Sequence, residues 1–331
     1  MAEAKWVENV GLKGIARFAE SDEVNVARIR PVIIPITGAA SADANLFRLT
    51  TLLWSVPVSR GYGRRMRFLV LDANNGKLMG VFALGDPVFN LGVRDQWIGW
   101  TTADRRQRAS SVMDLFVCGA VPPYSSLLCG KLVAALATSQ EVVDIFRQRY
   151  VGRPGIISNV VKDADLLLIT TTSALGRSSM YNRLVLPTAP PTRFERIGHT
   201  EGWGHFAVSD SLFRDVRAYL ARRDHLYADG HQFGTGPNWR LRTIRAAIEM
   251  LGLDGDLLRH GIQREVFACE MSEHTRQQLT SGVKVGSVNR PGALEISAAA
   301  AQRWMLPRFQ RSGLPPCTHD SILRRLSPDF D

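Results

Sequence analysis

The amino-acid sequence predicts an α/β (α+β) protein: a mixed central sheet with flanking helices, followed by a helical or mixed lobe at the C-terminal end. Three observations carry that expectation. In MRFLVLDANNGKLMGVFAL, two apolar runs flank Asn74, Asn75 and Gly76, residue types that tolerate the positive φ of tight hairpin turns. A third apolar run, VMDLFVCGAV, passes through GAVPPYSSLLCGK (Gly119 to Lys131) into a helically spaced segment of about twenty residues ending near Tyr150. The apolar DLLLITTTSA and the polar GRSSMYNRL then repeat the strand-then-helix order.

Taken along the chain, ANLFRLTTLLW (Ala44 to Trp54) has helical spacing, and the following VPVSRGYGRR breaks it with Pro and Gly. The hairpin comes next, then GDPVFNLGVRDQWIGW leaves the sheet and ADRRQRASS makes a polar, helix-prone connection. After the second strand-to-helix unit, VLPTAPPT reads as a surface loop. RFERIGHTEGWGHFAVSDSLFRDVRAYLARR gives strand, Gly-rich turn, strand and a helix capped by Ser209 or Ser211. From about Tyr227 a loop precedes the helical WRLRTIRAAIEMLGL, and the tail AAAAQRWMLPRFQRSGLPPCTHDSILRRL reads as helix, breaker, short helix. The expected domains are an N-terminal extension (1–43), an α/β core (44–225) and a C-terminal subdomain (226–331).

Composition limits the partners. The chain has 331 residues, 45% hydrophobic and 22% charged, and no apolar run approaches the ~18 residues of a membrane span. The N-terminal MAEAKWVENVGLKG has neither a basic region nor an apolar one, so no secretory signal and a cytoplasmic location are expected. Cys118, Cys129, Cys269 and Cys317 lack C-x-x-C spacing and read as structural thiols. Net charge is +10, carried by 35 arginines and 6 lysines. Arginine's planar fork matches phosphate oxygens, so DNA is the expected partner, with a high-GC codon bias as the plainer alternative. RGYGRRMR, DRRQR and NWRLRTIR concentrate the charge; Arg64 and Arg65 lie in the first.

Candidate site residues cluster at the two strand ends. Pro122 and Pro123 stiffen the first junction, with Tyr124 at its mouth and Lys131 further into the helix. A helix mouth suits phosphate, although the Gly spacing is not that of a P-loop. The second junction carries Ser173, Arg177, Ser178, Ser179, Tyr181, Asn182 and Arg183. Two such polar ends side by side form a crevice of the kind where ligands collect in α/β folds. Tyr124 and Tyr181 are candidate stacking groups or acids, Asp114 a candidate base, and Arg177 and Arg183 candidate phosphate clamps; Ser178 and Ser179 also suit helix caps. Trp97 and Trp100, beside the Arg94–Asp95 pair in RDQWIGW, offer a base-stacking platform, though a structural corner is the preferred reading. His199 and His205 do not have a metal spacing, and no metal site is expected.

Five stretches together, SVPVSRGYGRRMRFLVLD, GDPVFNLGVRDQWIGW, GAVPPYSSLLCGKLVAALA, TTTSALGRSSMYNRL and GLDGDLLRHGIQREVF, resemble the family of the Druantia anti-phage system protein A over roughly residues 45 to 280. That resemblance implies a DNA-directed role in a phage-defence or mobile-element setting, with partners in a defence complex. The strand order is also similar to the GNAT fold, and Mom-type DNA modification proteins use a comparable one. This second resemblance implies a central hairpin over Met66 to Leu84, a pyrophosphate-type loop at Ala120 to Ser126, a strand at Asp165 to Ser173, and Tyr181 as an acid. The Q/R-x-x-G-x-G/A signature of acetyl-CoA binding is absent from that loop, where Pro122 and Pro123 stand, so the cofactor stays unknown. The leading expectation is a DNA-acting, base-modifying enzyme. The alternatives are a non-catalytic DNA-binding subunit that recruits a partner and, more weakly, a small-molecule acyltransferase.

Overall fold

The computed structural model describes residues 2–54, 56, 58, 63–154, 161, 164–202, 208–229 and 237–326. Helix α1 (Ala2–Asn9) leads through short 3-10 turns to strand β1 (Pro31–Pro35) and helix α2 (Ala42–Thr51). Ser41 starts α2 by accepting the Ala44 N–H at 3.1 Å, one of the otherwise unpaired amides of a helix end. Strands β2 (Arg65–Asp72) and β3 (Lys77–Gly85) form the expected antiparallel hairpin. Its turn is held by side chains: Asp72 accepts the N–H groups of Arg30 and Asn74 at 3.0 Å, Asn75 accepts that of Lys77 at 2.9 Å, and Gly76 takes a φ of 74°.

The chain then leaves the sheet for α3 (Gly92–Ile98) and α4 (Thr102–Arg108). Gly99, at a φ of 88°, ends α3, and Thr101 and Asp104 cap α4 reciprocally. Strand β4 (Val112–Ala120) follows. Beyond it the Pro122–Pro123 bond is cis and Tyr124–Leu127 makes a 3-10 turn, so the junction enters α5 (Cys129–Leu136) less directly than expected. The helix of about twenty residues is in fact two, α5 and α6 (Gln140–Tyr150), because Thr138 and Ser139 bond back to Ala135 and Leu136 at the break.

Strand β5 (Leu168–Thr172) runs parallel to β4. The GRSSMYNRL segment that follows is a series of turns where a short helix was expected. Ser178 accepts the N–H groups of Met180 and Tyr181 and so offers the backbone an alternative to helical pairing. A small β6 (Val185–Leu186) and β7 (Thr192–Arg193) pair precedes β8 (Glu195–His199). Ser209 caps α7 (Asp210–Ala221), which packs on α8 (Pro237–Met250). Then come β9 (Glu265–Glu270), α9 (Thr275–Ser281), α10 (Ala293–Ala300), a π-helical turn (Ala301–Met305), α11 (Leu306–Ser312) and α12 (His319–Leu326).

Seven of these strands form one sheet in the order β1-β2-β3-β4-β5-β9-β8. Every described ladder in it is antiparallel except β4–β5. β1 comes from the segment read as an N-terminal extension and β9 from the segment read as a C-terminal subdomain, so ladders cross both expected boundaries. Alternation along β2 and β3 feeds two cores. Met66, Phe68, Phe82 and Leu84 join Leu132, Val133 and Phe146 on one side, while Leu69, Val81 and Ala83 join Leu46, Leu49 and Ile322 on the other. Phe68 and Phe82, opposite each other in register, stack with ring centroids 4.6 Å apart and contribute roughly 1 kcal/mol beyond their burial. Among the described residues no helix is long and apolar enough to cross a membrane, and no group of three His, Cys, Asp or Glu could hold a metal ion.

Candidate functional site

Folding separates the residues picked out at the two strand ends. Tyr124 is buried, and its hydroxyl donates to Asp72 at 3.0 Å and receives the Asn75 amide at 2.9 Å. It therefore ties the first junction to the hairpin turn, and burial pushes its phenol far above the ordinary range. Tyr181 is buried beside Phe194 and Phe267, with ring centroids 5.4 and 5.5 Å away. Its hydroxyl meets Thr171 and Cys118, and burial raises its pKa well above the usual value. The Cys118 thiol is itself pushed up to about 12 by burial.

Asp114 is a carboxyl shifted toward neutrality by burial. Its carboxylate accepts the Thr170 hydroxyl at 3.0 Å, yet desolvation outweighs that bond and the charges of Arg94 and Arg264, raising the pKa to about 6. Asp114 ends the paired part of β4–β5, which covers only Val112–Asp114 opposite Leu168–Thr170.

The arginines divide by their partners. Arg94 is fully buried and binds Asp95 at 2.6 Å, the Val88 carbonyl at 2.7 Å and the Phe89 carbonyl at 3.1 Å, while Arg105 reaches the other Asp95 oxygen. These bonds commit the Arg94 guanidinium to partners within its own corner of the fold. Trp97 lies beneath Arg276, 4.9 Å from its ring centre. Arg64 is held by Asp86 at 2.7 Å and by the Ser110 carbonyl at 2.8 Å. Arg65 is exposed at the start of β2, and Arg177 is exposed in the turn after β5. Arg60 and His205 lie outside the described residues.

Three of the expected ligand-binding residues do come together. Lys131, Ser179 and Arg183 line a pocket of about 370 Å³ with Asn182, Arg303 and Trp304. Lys131 rises from the first turn of α5 and donates to the carbonyls of Met180 at 3.0 Å and Asn182 at 2.8 Å. An ammonium has three donors, so among the described residues one is left for a ligand. Arg183 takes a φ of 57° in the turn, and Arg303 and Trp304 stand on the π-helical turn, a local geometry often found at functional sites. Lys131 Nζ lies 5.8 Å from the Trp304 ring centre. Burial, then the charges of Arg303 and Arg183, lower its pKa. Among the described residues no carboxylate lines this pocket, so the arrangement concentrates positive potential beside an aromatic face and suits an anion that carries a flat ring.

Arg303 and Trp304 were not singled out from sequence. The adjacency of an arginine and a tryptophan in AAAAQRWM is the only local trace of them.

Fold and site thus define a mixed α/β protein with a basic, aromatic pocket between α5, the turn after β5 and the C-terminal π-helical turn. The chain belongs to the Druantia protein DruA family, whose model matches residues 2–281. It is 47% identical over 312 residues to Druantia protein DruA of Escherichia coli (strain UMEA 4076-1), a match covering 94% of this chain and 76% of that protein. No solved structure matches the chain. Arg303 and Trp304 lie beyond the residues the family model covers.

Proposed function

We propose that this chain is a DNA-binding component of a Druantia anti-phage defence system, holding the phosphate backbone at the Lys131, Arg183 and Arg303 pocket and acting with protein partners. Family membership supports the defence role. The observation that carries the nucleic-acid reading is the pocket's chemistry: three cations and, among the described residues, no lining carboxylate, against a net charge of +10. The buried, internally bonded hydroxyls of Tyr124 and Tyr181 favour binding over catalysis at the strand ends.

The test is anisotropy of labelled DNA at several salt concentrations with the wild type and with Arg183→Gln plus Arg303→Gln. Each lost phosphate contact should lower the slope of log K against log salt by about 0.9 on duplex or about 0.7 on a single strand. An unchanged affinity and slope in the double variant would sink the reading.

A second reading keeps a catalytic crevice in a GNAT-like or Mom-like core. It is favoured by Asp114, with a pKa of about 6, at the end of the β4–β5 ladder. Here Asp114→Asn should abolish any modified nucleoside detected by mass analysis while DNA binding persists. Unchanged nucleoside composition with active wild type would remove it.

A further inference from the structure

We infer that the pocket takes an unpaired nucleotide of a single strand, with its base stacked on Trp304 and its phosphate held by Lys131, Arg183 and Arg303. This rests on the DNA-binding reading and adds which form of nucleic acid the pocket accepts. Phosphate contacts alone do not distinguish a duplex from a single strand, since both present the same anion. Trp304 makes the difference. It is partly exposed and shares the pocket with the cations, and the Lys131 ammonium 5.8 Å from its ring centre puts the charge and the aromatic face within the span of one nucleotide. A base inside a duplex is covered on both faces by its neighbours, so an indole beside the phosphate can engage it only when it is unstacked.

The rest of the lining agrees with that occupant. Asn182 and Ser179 supply neutral donors and acceptors for a base edge or sugar hydroxyl, and a pocket of about 370 Å³ falls in the range of small-ligand sites. Stacking tolerates any base because each has a π face. The pocket should therefore read strandedness with little sequence preference.

The experiment compares four probes on the full chain: a thymidine oligonucleotide, the same length of abasic backbone, a blunt duplex and free thymidine monophosphate. The wild type should bind the oligonucleotide about tenfold more tightly than the abasic strand, with the same salt slope. Trp304→Ala should erase that difference and Trp304→Phe should keep most of it. The abasic comparison uses the unaltered protein, so a misfolded variant does not spoil the test. Equal binding of oligonucleotide and abasic strand, or tighter binding of duplex, overturns the inference while leaving the phosphate reading intact. Free monophosphate competing as well as the oligonucleotide would assign the pocket to a small nucleotide and also overturn it. No binding of any DNA would remove both readings.

Discussion

Arg94 shows how a charged side chain can be chosen for the wrong reason and still matter. Its guanidinium is fully buried and spans Asp95 and two carbonyls, so removing it leaves the Asp95 carboxylate short of a partner in a dry place. Arg94→Ala should cost about 3–5 kcal/mol, read from denaturant unfolding, with no specific effect on the salt slope of DNA binding. Asp114 gives the opposite case, a carboxyl raised to about 6. The native state then holds more protons than the unfolded chain, whose carboxyl titrates near 3.9, so stability falls as pH rises from about 4 to about 6 and levels off above. Asp114→Asn keeps an acceptor for Thr170 and removes that slope. The variant should gain on the order of 2 kcal/mol over the wild type at pH 8 but not at pH 4, which melting curves at both values will show. Asp104 is shifted the other way, to about 2, by hydrogen bonds from Thr101.

At the scale of elements, α5 is what places Lys131, and its seat is made by glycines. A Cβ on Gly80 would strike the Gly119 carbonyl and come within 2.9 Å of Val133 on α5. Gly80→Ala should cost ~2 kcal/mol and weaken DNA binding, because α5 must shift to make room. Features set by neighbouring residues were readable in the sequence, and features set by distant packing were not. The hairpin was legible because Asn74, Asn75 and Gly76 act locally, and β4, β5 and α7 because apolar runs and Ser209 do too. Lys131, Ser179 and Arg183 were picked out because they lie in the segments that follow the apolar runs of β4 and β5. The turn at Ser178 was misread as a helix because a serine hydroxyl can cap either structure. Trp304 was missed because its role depends on the packing of α10 against α5, and nothing in the residues near it specifies that neighbour.

For the whole molecule, the charge excess was plain from composition, but its use was not. Arg64, Arg94, Arg105 and Arg290 are bound internally, so part of the basic count stabilises corners and loops instead of meeting a ligand. The chain is also uneven in cohesion. Leu220, Ala246 and Ala247, and separately Phe213, Ile244 and Leu258, form small clusters apart from the two main cores. Amides of α7 and α8 should therefore exchange with deuterium well before those of β2, β3 and β4, as mass spectrometry of peptides will report. Equal protection across these segments would show that the small clusters open only with the sheet.

The β4–β5 ladder has a consequence for the order of assembly. It is the one parallel ladder among the described strands of the sheet, it covers three residues of each strand, and α5 and α6 lie between its partners in sequence. The β2–β3 hairpin closes a short loop, whereas this join must wait until a long stretch of chain has been ordered. A contact made after the rate-limiting step affects how fast the native state is lost more than how fast it is reached. Thr171, whose hydroxyl donates to the Leu115 carbonyl at 2.8 Å across the join, is the place to see it. Thr171→Val should speed unfolding and leave the refolding rate nearly unchanged in stopped-flow traces, marking the join as one that closes late and parts early.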